Sequence, residues 1–261
     1  MKYPIYQVDA FTDRVFGGNP AAVVPLEGPW PPDETLQAIA LENNLSETAF
    51  VRPRPDGYDL RWFTPGAEVD LCGHATLATA HVLFEGAESG AEELVFHTQS
   101  GPLQVRRRRD LLELNFPARP GLVIPQPGGL SAALGALPEA CFRSRDLMAV
   151  FADESALRAL RPNFPALLQQ DYLGIIVTAP GDNCDFVSRF FAPAVGVDED
   201  PVTGSAHCTL IPYWAERLGK TSMEARQISA REGRLICEVH GERVTMAGHA
   251  VSYMRGEITV P

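Results

Sequence analysis

Residues 199–207 read EDPVTGSAH and set Glu199, Asp200, Thr203, Ser205 and His207 directly before an apolar run, CTLIPYWAERLG. A helix that begins there leaves backbone N–H groups unpaired and carries partial positive charge, so its opening attracts anions. Gly204 lets a ligand approach the backbone closely. A second stretch opens in the same way. Gly73-His74-Ala75-Thr76 follows Asp70 and leads into LATAHVLFEG, as Gly204-Ser205-Ala206-His207 follows Asp200. Two such openings facing one another would clamp a small carboxylate, with His74, Asp200, Ser205 and His207 supplying proton donors and acceptors. The competing reading, in which Thr203 and Ser205 only cap a helix, is equally open on these residues. A third polar position is Glu47, flanked by the apolar Leu45, Ala49, Phe50 and Val51. A carboxylate so placed is partly desolvated, a condition that suits a general base, although a surface or capping carboxylate is the commoner use of such a residue.

Rival chemistries can be built from the same side chains. His74, His207, Cys72 and Cys208 offer metal-ligand types. However, His74 and His81 stand two helical turns apart, about 10 Å of rise, which is too far to share one ion as an i, i+4 pair does. His81 therefore reads as a packing histidine. Ser205 beside His207 suggests a hydrolase, but G-S-A-H is not the G-x-S-x-G elbow. Neither G-x-G-x-x-G nor the P-loop pattern occurs, so no nucleotide cofactor is expected, and no metal either.

The elements that must hold these residues are mostly strands. Alternating or apolar stretches recur at KYPIYQVDAF, NPAAVVPL, ETAFVRP, YDLRWFT, ELVFHTQ, PLQVRR and LLELNFP, then at DLMAVFA, YLGIIVTA, DFVSRFFAP, ARQISAR, RLICEVHG and ERVTMAG. Residues 33–43 have prolines before them, an Asp cap and apolar Leu36, Ile39 and Ala40 at helical spacing. Residues 73–86 and the run from Gly204 are apolar nearly all round, as in enclosed helices. Residues 118–129, rich in Pro and Gly, divide a first half (1–117) from a second (130–261), with the last strand free to return to the first half.

The whole chain, 261 residues with a formal net charge of -11, can bury a full core and is a poor partner for nucleic acid or an anionic membrane. The basic run Arg106–Arg109 falls between two alternating stretches and reads as a solvated hairpin tip. Five scattered cysteines without C-x-x-C, an N-terminus that reads as a strand rather than a signal peptide, and no apolar run of membrane-spanning length point to a cytoplasmic protein with reduced thiols.

Taken in order, GGNPAAVV (17–24), LSETAFV (45–51), RWFTPGAEVDLCGHATLAT (61–79), SRFFAPAVGVDEDPVTGSAH (188–207) and AGHA (247–250) resemble the PhzF-like family, named after an isomerase of phenazine biosynthesis. The resemblance implies an α/β (α+β) fold like that of diaminopimelate epimerase: two similar halves, each a curved sheet wrapped around a central helix, with the site in the cleft between them. It further implies a cofactor-independent isomerase that moves a proton within a small, cyclic or unsaturated carboxylic acid. Glu47 would be the general acid/base, with His74, Asp200 and Ser205 as catalytic partners. Gly73, Ala75, Thr76, Gly204 and Ala206 would bind the substrate, and a homodimer is expected. An epimerase or racemase of an amino or hydroxy acid, or a non-catalytic binding protein of the same fold, are the alternatives. A two-thiol mechanism fits poorly, since Cys72 adjoins the first opening but Cys208 lies inside the second helix. One departure stands out: QISAREGR carries Glu232 where the family commonly has Gly, an added carboxylate with consequences for specificity if that turn lines the site.

Overall fold

Alternation of side chains across a strand decides what each face of a sheet can touch, and here the alternation sorts two layers of helices. A computed structural model describes residues 1–260. The chain divides into two units, residues 1–115 with 247–261, and residues 116–246. The first unit contains β1 Lys2–Ala10, β2 Asn19–Pro25, α1 Asp33–Asn43, β3 Glu47–Arg54, β4 Gly57–Phe63, β5 Glu68–Val69, α2 Gly73–Glu85, β6 Glu93–Thr98 and β7 Gly101–Arg108. Strand β8, Leu111–Pro117, runs over the boundary into the second unit. That unit continues with β9 Leu122–Ile124, α3 Leu130–Leu134, β10 Ala140–Arg143, β11 Leu147–Val150, α4 Glu154–Ala159, α5 Phe164–Leu167, β12 Ile175–Pro180 and β13 Phe186–Ala192. After a 3₁₀ turn come β14 Val197–Asp200, α6 Gly204–Leu218, β15 Ser222–Gln227, β16 Gly233–His240 and β17 Arg243–Gly248. The last strand, β18 Ala250–Thr259, pairs antiparallel with β1 in the first unit.

The two units repeat one order of strand directions. In the first, β1–β2 is antiparallel, β2–β3 parallel, β3–β4 antiparallel, β4–β6 parallel and β6–β7 antiparallel. In the second, β10–β11, β11–β12, β12–β13, β13–β15 and β15–β16 run through the same sequence. A short strand then precedes the enclosed helix in each unit: β5 pairs with β4 before α2, and β14 pairs with β13 before α6. The two similar halves expected from the sequence are therefore present, each with its own buried helix.

In the first unit, Ala22, Val24 and Phe50 face outward onto Leu36, Ile39 and Ala40 of α1. The alternate residues Ala21, Val23, Ala49 and Val51 are buried on the opposite face, where β2 and β3 meet α2. Helix α2 also touches β1, β7 and β18, so the sheet curls around it. In the second unit Ile175, Val177 and Ala179 of β12 pack on α3, α4 and α5 through Leu130, Leu157 and Leu167. Thr178, on the other face of β12, accepts a hydrogen bond from the indole of Trp214 in α6, whose ring stacks on Phe186.

Two local expectations change in detail and a third holds. Asp33 is the first residue of α1 rather than its cap; Pro32 holds the cap position and no side chain caps the helix. Residues 118–129 belong to the second unit, and Leu122–Ile124 pair with β10. The turn at Arg109 does join β7 to β8, and Arg106 and Arg108 pair with Glu93 and Glu113 while Arg107 lies over the Phe84 ring.

Candidate active site

The inner face of the first sheet carries Glu47, the expected general acid/base, toward His74. Glu47, the first residue of β3, shares the face of Ala49 and Val51, and the β2–β3 register sets it beside Ala21. Asn19, the first residue of β2, shares that face too, and both therefore address the opening of α2. Gly18 makes this entry possible: its φ is +58°, and a Cβ there would sit 2.1 Å from the Ala10 carbonyl oxygen.

His74, the second residue of α2, is 4% exposed and meets three side chains. Its Nε2 lies 3.0 Å from Glu47 Oε2, off the hydrogen-bond axis, and neither atom has another hydrogen-bond partner among the described residues. Its Nδ1 lies 3.2 Å from Asn19 Nδ2 and 3.6 Å from Cys72 Sγ. An amide can present oxygen or nitrogen to Nδ1, so Asn19 can serve the ring in either protonation state. Burial, reinforced by the Glu47 charge, pushes the Cys72 thiol up to about 11, so it is neutral at neutral pH. Burial by itself lowers the pKa of His74, but the Cys72 sulfur and the Glu47 carboxylate outweigh it and hold the ring well above its usual value. With the thiol neutral, Glu47 is the partner that sustains the imidazolium.

Glu47, Cys72 and His74 are also the one group of metal-ligand types whose atoms lie within 4.8 Å of one another among the described residues. The ring turns Nε2 to Glu47 and Nδ1 to Cys72, so no single ring nitrogen faces both of the other ligand types. Cys208 and His207, also named as possible ligands, are not in that group. The opening of α2 has no side-chain cap; Thr76 and Thr79 bond back to the Cys72 and Ala75 carbonyls instead. His81 stands two turns along, 3.0 Å from Ser252 Oγ, as a packing histidine.

The second unit's turn is built differently. Thr203 donates its hydroxyl to Asp200 Oδ2 at 2.5 Å, so it does not cap α6 by accepting from the helix. Gln227 of β15, wholly buried, accepts from the Thr203 N–H at 2.8 Å and donates to the Asp200 carbonyl at 2.8 Å. The Ser229 hydroxyl donates to the Pro201 carbonyl. Ser205 is half-buried, and its hydroxyl makes no hydrogen bond or cap among the described residues. His207 donates Nδ1–H to the Thr203 carbonyl at 2.8 Å, and burial lowers its pKa to about 4, so it is a neutral core histidine and not a base paired with Ser205. Glu199 is gripped by both nitrogens of the Arg189 fork. Glu232 takes φ 51°, the left-handed conformation a glycine would adopt more easily, and its carboxylate pairs with Arg158 of α4. Asn19 and Gln227 were missed as site residues in the sequence. Each begins or ends a strand beside a Gly- or Ser-containing turn, a weak signal on its own.

Sheet topology and one buried helix per unit define a mixed α/β architecture, and comparison with known proteins agrees. The model for "phenazine biosynthesis-like protein" matches residues 8–256. An uncharacterized isomerase of Pseudomonas aeruginosa is 54% identical over 258 residues, covering 99% of both chains. The crystal structure of a PhzF-family phenazine biosynthesis protein from Enterococcus faecalis is 49% identical, covers 100% of both chains and superposes with a TM-score of 0.97. The chain belongs to the phenazine biosynthesis-like (PhzF) family. At 11% identity, a hydroxyproline epimerase from Agrobacterium vitis shares the fold alone, with a TM-score of 0.62 over 98% of this chain and 92% of that one. The diaminopimelate epimerase-like architecture expected from the sequence is thus present.

Proposed function

We propose that the protein is a cofactor-independent isomerase that moves a proton within a small, cyclic or unsaturated carboxylic acid, with Glu47 as general acid/base. One observation carries this reading: the repeated scaffold bears its acid/base pair in one copy only. Glu47 begins β3 on the face that looks toward α2, and the corresponding face of β12 in the second unit, toward α6, carries Ile176 and Thr178 and no carboxylate. Cys72 and His74 at the first helix opening are matched by Thr203 and Ser205 at the second. A racemase that works with one base on each face of its substrate needs a proton carrier in both copies. Here the two thiols are neutral, each held at about 11 chiefly by burial, and Cys208 lies inside α6.

In this mechanism Glu47 removes a proton from a carbon conjugated with the substrate's unsaturation or carboxylate. The electron pair spreads into that system, and Glu47 returns the proton to another carbon of the same molecule. The His74 imidazolium balances the Glu47 carboxylate before transfer and fixes its direction. Backbone N–H groups of Gly73, Ala75 and Thr76 are proposed to hold the substrate carboxylate. On sequence likeness, Asp200 and Ser205 are the other proposed catalytic residues, with Gly204 and Ala206 as binding backbone. Cytoplasmic residence belongs to the same reading and is supported by five free cysteines. No helix among the described residues is long and apolar enough to cross a membrane. The test is deuterium incorporation from deuterated buffer into a panel of cyclic and unsaturated carboxylic acids, followed by NMR. Incorporation at a carbon that gains a proton on isomerisation is expected, and failure of every acid in the panel to exchange would remove the reading.

A further inference from the structure

The indole of Trp62 is buried with nothing to donate to. This residue of β4 is 1% exposed, and its Nε1–H has no hydrogen-bond partner among the described residues. An unpaired buried donor is costly, and a phenylalanine would fill the same place without that cost. Trp214 shows the usual solution, since its indole donates to Thr178 Oγ1 at 2.9 Å. Register fixes the side to which Trp62 turns. It stands opposite Ala49 of β3 and so shares the face of Ala49 and Glu47; Glu47 is its diagonal neighbour, within reach of an aromatic side chain. Across its other edge it pairs with Val69, four residues before Gly73, where α2 begins. The repeat separates the ring from its N–H. In the second unit Phe190 of β13 pairs with Asp200, four residues before Gly204, where α6 begins. Both units therefore bury an aromatic ring at the same place beside the short strand that leads into the enclosed helix. The N–H occurs only in the half that carries Glu47 and His74, whose Oε2 and Nε2 are likewise buried without a hydrogen-bond partner.

We propose that the Trp62 N–H donates a hydrogen bond to an oxygen of the substrate, and so selects acids that bear a hydroxyl or keto oxygen besides the carboxylate. The inference rests on the proposed use of Glu47 and His74 as the reacting pair and adds a substrate feature to it. An indole N–H is a donor only, so its partner is an acceptor; neither a hydrocarbon carbon nor an ammonium group serves. In the proposed function the substrate carboxylate is already held by backbone N–H groups at the opening of α2, and Glu47 takes the carbon-bound proton. A further donor on the face beside Glu47 is then matched by a further oxygen. Such a donor discriminates strongly, because an analogue that lacks the oxygen leaves it buried and unpaired.

The test follows binding rather than turnover. The chain has three tryptophans, Trp30, Trp62 and Trp214, so each indole N–H can be followed separately by proton–nitrogen NMR. The Trp62 signal is assigned by its loss in Trp62→Phe, or by elimination with Trp30→Phe and Trp214→Phe. The probes are cyclohexenecarboxylate and its hydroxy and keto derivatives. The oxygenated acids are expected to move the Trp62 signal downfield and to leave that of Trp214 in place, and the plain acid to move neither. Trp62→Phe keeps an aromatic body and should cut the affinity advantage of the oxygenated acids by about tenfold, while binding the plain acid as the wild type does. A Trp62 signal that no oxygenated acid moves overturns the inference. So does a Trp62→Phe protein that keeps the wild-type ratio of affinities, including one that weakens all the acids alike, as a packing role alone would. An oxygen-dependent shift without deuterium exchange would remove the isomerase reading and leave the inference standing. Exchange with an unmoved Trp62 signal would do the reverse.

Discussion

Glu47, His74 and Asn19 form a small charge system in which each residue has a separable effect. Replacing Glu47 by Gln keeps the side chain's size and removes the proton acceptor, so turnover on a substrate found by the exchange screen should fall by about a hundredfold or more. Thermal stability should change little, and near-normal turnover in Glu47→Gln would end the assignment. The same variant has a second readout. With the carboxylate gone, the burial of His74 is no longer opposed by a nearby negative charge, so its ring should titrate lower than in the wild type, as seen in imidazole NMR shifts. Asn19 acts through the ring. Asn19→Leu preserves volume but removes the 3.2 Å contact to Nδ1, and should lower kcat about tenfold with a smaller change in KM, because it disturbs the base's orientation rather than substrate binding. Equal loss in both parameters, or none, would argue against an orienting role.

At the scale of elements, the two helix openings look alike in sequence and are held by different means. The Ser205 hydroxyl neither caps α6 nor bonds elsewhere among the described residues, so Ser205→Ala should leave the melting temperature almost unchanged. Under the proposed function it should weaken competitive inhibition by simple carboxylates, an inhibition that replacement of the carboxylate by an amide should abolish in the wild type. A stability loss near the scale of a missing cap, about 1 kcal/mol, with inhibition intact would restore the capping reading. Gln227 is predicted to do the reverse. Gln227→Leu removes the bonds that pin Asp200 and Thr203 and should cost about 2–3 kcal/mol, read by urea denaturation, at roughly 1 kcal/mol for each buried bond. This contrast marks where the sequence was readable. Strands and enclosed helices announce themselves by period and composition, and α1 lies where the spacing of Leu36, Ile39 and Ala40 puts it. The short helices α3, α4 and α5 carry too few turns to show a period, and the strand at Leu122 is hidden among prolines and glycines. The contact of Asn19 with His74 joins residues 55 apart through sheet register, which local pattern does not encode.

For the whole molecule, two buried histidines make stability depend on pH in opposite senses. His74 has a raised pKa in the folded state, so its contribution is fully present below the unfolded value of about 6.5 and is lost as pH rises through the higher folded value. His207 has a folded pKa of about 4. The unfolded chain therefore binds a proton that the folded one refuses, and stability falls as pH drops from about 6.5 towards 4. Integrated between pH 7 and pH 5, that single group accounts for about 2 kcal/mol. The formal charge of -11 pulls the other way, because acidification towards the pI near 5.0 relieves self-repulsion. The comparison that isolates the histidine is the change in unfolding free energy from pH 7 to pH 5 in the wild type and in His207→Gln. The variant can lose stability at both pH values through imperfect packing beside Phe186 and Trp214, but its acid-side slope should be shallower by about the same 2 kcal/mol. If the two slopes coincide, His207 is already protonated in the fold or exposed to solvent. A direct titration of its ring by NMR then distinguishes these, since a neutral ring persisting below pH 5 is what a buried imidazole bonded through Nδ1–H to the Thr203 carbonyl requires.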